Sequence, residues 1–291
     1  MDQADSQAET NPSTDKQTTL HRVGCVSYLN ARPLITGLDD EPGVEVRTDV
    51  PARLLAELES GEVDVALCPV FDFFASSQEL ALLPVGAIGC EGPTLTVRLY
   101  SQVPIDQITT LHADTDSHTS VALAQVLLAK LFKVFPTMVD YDAREGTAEG
   151  RIEESPQAML LIGDKVVTGS PLAVQYPYQM DLGEGWHDLT GLPFVFAIWM
   201  TRAETDLGGL PAKLSARLDA NLPQRMIIAE RYAEQHGWPN DLAEHYLVDV
   251  LKYKVSQQAL EAIGRFGLFV SELGLTENPR AVRLYRKADQ T

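Results

Sequence analysis

Positive charge is scarce in this chain: 23 Lys and Arg stand against 41 Asp and Glu, a formal net charge of -18 over 291 residues. That balance argues against nucleic acid as a partner, because gripping a phosphate backbone needs a basic face. It argues equally against an anionic membrane surface. A small anionic ligand remains compatible, since salt screens remote charge beyond roughly 8 Å and a few aimed donors then decide. Cysteine is scarce too. Cys25, Cys68 and Cys90 sit in separate apolar contexts without metal-ligand spacing, and read as buried, reduced thiols with a cytoplasmic home. No apolar run reaches bilayer length, and Met1–Thr19, rich in Gln, Asp, Ser and Thr, has neither the basic start nor the apolar core of a secretory signal. It reads as a disordered leader. G-x-G-x-x-G, the P-loop, G-x-S-x-G and H-E-x-x-H are all missing, so the expectation is no cofactor, no metal and no serine-hydrolase mechanism.

What is present is a rhythm of strands and helices. Val23–Val26 is an apolar run that stops at Ser27; Asn30 follows in a polar bend, and Pro33 suits the first turn of a helix. Val44–Val50 alternates as a half-buried strand does. Pro51 then starts a helix with Leu54, Leu55 and Leu58 on one face and Gly61 as its stop. Val63–Cys68, Leu95–Leu99, Thr110–Asp114, Val139–Tyr141, Ala158–Ile162 and Phe194–Met200 are further strand candidates. Asp181–Pro193 reads as irregular, and the chain from about Pro211 to Leu275 reads as helical, with Ser256 as an N-cap. Such βα units predict an α/β protein with largely parallel sheets. The expected layout is two lobes with a ligand cleft between them: residues 20–95 plus 198–285 form one lobe, and 96–197 the other. The chain would cross near Thr94–Leu99 and Pro193–Trp199.

Several strand-end loops would then face the cleft: Ser27–Asn30, Pro69–Val70, Pro93–Thr96, Thr115–Ser120 and Gly163–Asp164. Thr115–Ser120 precedes a strong helix, where free N–H groups and the positive end of the helix dipole favour an anion; the competing reading is an ordinary N-cap. Asn30 either presents its amide to a ligand or braces its own turn. Arg32, directly before Pro33, reads as a packing residue. Asp164 either orients its loop or touches ligand. Tyr28, Phe194 and Trp199 are the aromatic candidates for the pocket, and of the six histidines only His118 falls in a candidate loop. His236 and His245, in the helical C-terminal part, read as surface residues.

The segment Ser27-Tyr28-Leu29-Asn30-Ala31-Arg32-Pro33-Leu34 closely resembles the opening motif of the chorismate dehydratases, enzymes of the futalosine route to menaquinone. The resemblance runs on through Asp64–Val70, Val97–Pro104, Asp116–Leu123, Leu161–Lys165, Asp181–Trp186 and Thr190–Trp199, and near the C-terminus through Tyr246–Tyr253 and Phe266–Leu275. Two positions depart from the family's pattern: His118 stands where Arg is usual, and Thr96 where Ser is usual. The sister enzyme, 1,4-dihydroxy-6-naphthoate synthase, opens on a motif resembling Ser-Pro-Cys-Pro-Asn-Asp-Thr-Phe, which this chain lacks.

The resemblance implies a two-lobed fold like the periplasmic binding proteins (type II) and a carbon–oxygen lyase. The reaction implied is loss of water from the dianion chorismate, giving 3-[(1-carboxyvinyl)oxy]benzoate. On that reading Asn30, Thr96 and Ser117 are the catalytic candidates, while Ser27, Tyr28, Pro69, His118, Thr119, Ser120, Gly163, Asp164 and Phe194 bind substrate. The expected proton acceptor is the substrate's own enolpyruvyl carboxylate, with His118 or Asp164 as the competing protein base. The alternatives are a non-catalytic binder of small carboxylates on the same fold, or the sister synthase.

Overall fold

A computed structural model describes residues 19–141, 156–277 and 280–286. The proposed leader therefore lies, up to residue 18, outside the described residues. The strands are β1 (His21–Val26), β2 (Val44–Asp49), β3 (Val65–Pro69), β4 (Leu80–Cys90), β5 (Val97–Ser101), β6 (Thr110–Asp114), β7 (Thr137–Tyr141), β8 (Ala158–Ile162), β9 (Tyr178–Asp181), β10 (Phe194–Arg202) and β11 (Leu251–Lys252). They form two sheets, of order β11-β4-β10-β3-β1-β2 and β7-β6-β8-β5-β9.

Both sheets are mixed, which corrects the expectation of largely parallel ones. β1 pairs in parallel with β2 and β3, and β6 with β7 and β8. β10 runs antiparallel to β3 and β4, β11 to β4, and β5 to β8 and β9. The physical reason is connectivity. A βα unit returns a strand in parallel, whereas strands that follow a passage between the sheets enter from the opposite direction. β10 lies in the first sheet from Phe194 onward, where it opposes Cys90, so the second passage is complete before Phe194.

Local chemistry explains most elements. Pro51 opens the helix Pro51–Ser60, and Gly61 closes it with φ +80°, a left-handed conformation open to glycine. Ser256 caps the helix Gln257–Glu272 by accepting from the Ala259 N–H at 3.1 Å. The stretch expected to be irregular contains the helix Leu182–Thr190, capped by Asp181. Gly183 serves packing in that helix: a Cβ on it would stand 2.5 Å from the Gly92 carbonyl oxygen and 2.7 Å from Cys90 Sγ. No described helix is long and apolar enough to cross a membrane.

The Asp181 carboxylate also fixes the first passage between the sheets. Besides the Gly183 and Glu184 amides, it accepts from the N–H groups of Thr94 and Leu95, each at 2.9 Å. Leu95 is held there at φ +66°, unusual for a residue with a side chain. Thr96 is thereby delivered to the head of β5, and its carbonyl accepts from the Gly163 N–H at 2.7 Å.

Candidate active site

A cavity of about 560 Å³, counting its open mouth, lies between the sheets. The ends of β1, β3, β5 and β8, with β10, supply much of its wall. Its polar lining is Tyr28, Asn30, Thr94, Thr96, Ser117, Ser120 and Tyr246, and the rest is apolar or glycine. Among the described residues no Asp, Glu, His, Lys, Arg or Cys lines it.

Ser117 caps the helix His118–Leu127; its Oγ faces the Ser120 N–H at 3.4 Å and accepts from the Ser120 hydroxyl at 3.2 Å. Helical bonding begins with Ser120 and Val121, which both donate to the Ser117 carbonyl, so the turn presents N–H groups and hydroxyls at its start. Opposite, the Thr96 and Tyr246 hydroxyls are 2.7 Å apart. Asn30 Oδ1 is buried beside the phenol without a hydrogen bond of normal geometry. Burial pushes the Tyr246 phenol above its usual range, more than its bond to Thr96 lowers it. It stays protonated at neutral pH.

Ionisable groups surround this cavity. The Tyr28 hydroxyl donates to Asp116 Oδ2 at 2.7 Å, and Lys165 Nζ reaches the same oxygen at 2.9 Å while pairing with Asp114. His118 Nδ1 meets Asp72 Oδ1 at 2.7 Å, and one residue along, the Phe71 N–H donates to Thr119 Oγ1 at 2.9 Å. Asp164 accepts from Trp238 Nε1 at 2.8 Å and lies 3.1 Å from His236 Nδ1. All of these except the two Lys165 pairs join the second-sheet side to the first-sheet side or to the C-terminal helical region.

A family model described as menaquinone biosynthesis matches residues 21–271. The chain belongs to this menaquinone biosynthesis family. A chorismate dehydratase of Thermus thermophilus is 30% identical over 274 residues, covering 88% of this chain and 96% of that relative. One of Campylobacter jejuni subsp. jejuni is 25% identical, covering 84% and 94%. Among solved structures, the alkanesulfonate-binding protein SsuA of Xanthomonas axonopodis pv. citri, bound to MOPS, superposes with a TM-score of 0.66 at 16% identity, covering 91% of this chain and 96% of that one. A Candida albicans protein described as having the generic periplasmic binding protein fold superposes at 0.58 with 10% identity, covering 94% and 99%. The two-lobed fold expected from the sequence is the fold of these neighbours.

In this family member the structure gathers Tyr28, Asn30, Pro69, Thr96, Ser117, Ser120 and Gly163 around the cavity. Five other expected contacts are elsewhere. Ser27 is exposed, because the strand turns outward there. His118 is held by Asp72, Thr119 is spent on Phe71, and Asp164 on Trp238 and His236. Phe194 packs edge-on against Trp186, Phe196 and Phe266 in the core. A β-bulge explains that last miss. Val195 and Ala197 oppose the consecutive residues Gly89 and Ile88, so Phe196 is the extra residue, and it, not Phe194, reaches the cavity. Trp199 is likewise core. Two of the remaining readings divide. Arg32 is a packing residue, with its guanidinium 4.5 Å from the Tyr232 ring centroid. His236 is not on the surface, its side chain being 11% exposed.

All three cysteines are buried free thiols. Burial pushes Cys25 and Cys90 up to about 12 and Cys68 well above its usual range, which leaves no thiolate at neutral pH. Among the described residues no cluster of His, Cys, Asp and Glu is arranged to hold a metal. Sequence reasoning missed Tyr246 and Phe196 as lining residues, while Thr94 lies in the loop Pro93–Thr96 that was expected to face the cleft. Tyr246 opened a segment that resembled the family, but nothing local tied it to the cleft.

Proposed function

We propose that this protein is a chorismate dehydratase, eliminating water from chorismate to give 3-[(1-carboxyvinyl)oxy]benzoate. The observation that carries the reading is a cavity whose polar groups are hydroxyls and one amide and which, among the described residues, holds no carboxylate, imidazole or ammonium group. Such a lining orients a reactant but offers no strong base. It suits an elimination in which the substrate brings its own base and aromatisation supplies the driving force. The two relatives reported above carry the same name.

The chemistry maps onto the wall as follows. The helix start at Ser117–Ser120 supplies N–H and hydroxyl donors to a carboxylate. Asn30 orients the enolpyruvyl carboxylate, which takes the proton from the adjacent ring carbon. Thr96 assists departure of the neighbouring hydroxyl. His118 and Asp164, the rival bases, are tied to Asp72 and Trp238 instead.

The test is incubation of purified protein with chorismate, followed by proton NMR and mass spectrometry. The expected result is loss of chorismate with stoichiometric appearance of the aromatic enol ether. Saturable binding without conversion would make the protein a carboxylate-binding module on this fold.

A further inference from the structure

We infer that Tyr246, paired with Thr96, is the proton donor to the departing hydroxyl, and that Trp238 and Asp164 are the positioning residues that aim it. This rests on the dehydratase reading and deepens it. Tyr246 is the first residue of a π-helical turn, Tyr246–Val250, which follows the helix Asn240–His245. It is 1% exposed, yet it lines the cavity. Its hydroxyl meets Thr96 Oγ1 at 2.7 Å, and Asn30 lies beside it.

The ring is fixed from one face. Trp238 stacks on it with centroids 4.8 Å apart and planes 18° from parallel. The indole is in turn locked, because Nε1–H donates to Asp164 Oδ1 at 2.8 Å. Asp164 Oδ2 is held near His236 Nδ1 at 3.1 Å. The carboxylate that seemed poised to touch substrate thus grips the brace behind a hydroxyl that does.

The step balances. The substrate carboxylate takes the ring proton, and the C–H electron pair becomes the third ring double bond. The C–O pair leaves with oxygen. A proton passes from the Tyr246–Thr96 pair to that oxygen, forming water, and the proton held by the substrate carboxylate restores the pair. The phenol is protonated at working pH; burial makes it a weaker acid, so its proton moves only as the C–O bond breaks and the departing oxygen gains charge.

The experiment compares wild-type protein and Tyr246→Phe with chorismate and with its analogue bearing fluoride in place of the ring hydroxyl. Loss of a general acid predicts a fall in kcat of ~10²-fold or more with KM within about threefold. With fluoride, which needs no proton to leave, the variant should approach the wild type. Trp238→Phe should lower kcat by about tenfold, with the same relief by fluoride. Thr96→Val reports on the same pair should Tyr246→Phe not fold. Wild-type kcat in these variants, or a loss that fluoride does not relieve, overturns the inference alone. A wild-type protein that binds chorismate without converting it overturns the reaction reading and the inference with it.

Discussion

The cavity and its margin use opposite chemistry. Inside, the polar groups are hydroxyls and one amide; around it stand Asp72, Asp114, Asp116, Asp164, Lys165, His118 and His236, nearly all engaged with one another. Ionisable groups at the margin pair with one another, and His118–Asp72 joins the two sides of the cleft. An ionised group in the cavity itself would carry a desolvation penalty and compete with the substrate for its proton.

That contrast can be broken from either side. Asn30→Leu, which removes the one amide of the wall, should lower kcat by ~10²–10³-fold in steady-state assays with chorismate while the protein stays folded. Asp181→Ala acts on the frame. It leaves buried amides of Thr94, Leu95 and the helix cap without their acceptor, and should reduce unfolding free energy by about 3 kcal/mol in urea titration. Tyr28→Phe cuts the bridge to Asp116 and should raise KM by roughly tenfold, with kcat within about twofold, since a charge-assisted bond is worth about 1.5 kcal/mol.

The smallest effect concerns the pair Asp72–His118. The bond to Asp72 raises His118 above its usual 6.5, and burial raises Asp72 above its usual 3.8. In both cases the folded state binds protons more tightly than the unfolded one. Stability from His118 is therefore full below about 6.5 and is lost as pH rises through its raised value; Asp72 acts in the same direction from lower pH. The melting temperature should drift down as pH climbs from 6.5 toward the alkaline side, and Asp72→Asn should flatten that drift.

Much of this arrangement was legible in the chain because it is local. Ser27–Pro33 reads as strand, bend and helix start, and Asn30 does reach the cavity. Ser117 caps its helix as its place before Val121–Leu127 suggests. What was not legible depends on distant partners. Gly183 and Gly185 look like loop residues until Cys90 and Gly92 pack against the first and Leu127 against the second. β4, long and central, escaped notice because Pro84, Gly86 and Gly89 interrupt its pattern. Phe196 was passed over for Phe194 because a bulge has no signature in one sequence. Tyr246 and Trp238 sit in a helical region that tertiary packing, not local pattern, carries to the cleft.

The claim at the centre is that no protein base works in this cavity, and the dependence of kcat on pH tests it most directly, because it reports groups in the substrate complex. The account predicts a flat kcat for chorismate from about pH 5.5 to 9, since a substrate carboxylate titrates below that window and the buried phenol above it. A limb with an apparent pKa in the imidazole range, abolished by His118→Gln, would contradict it.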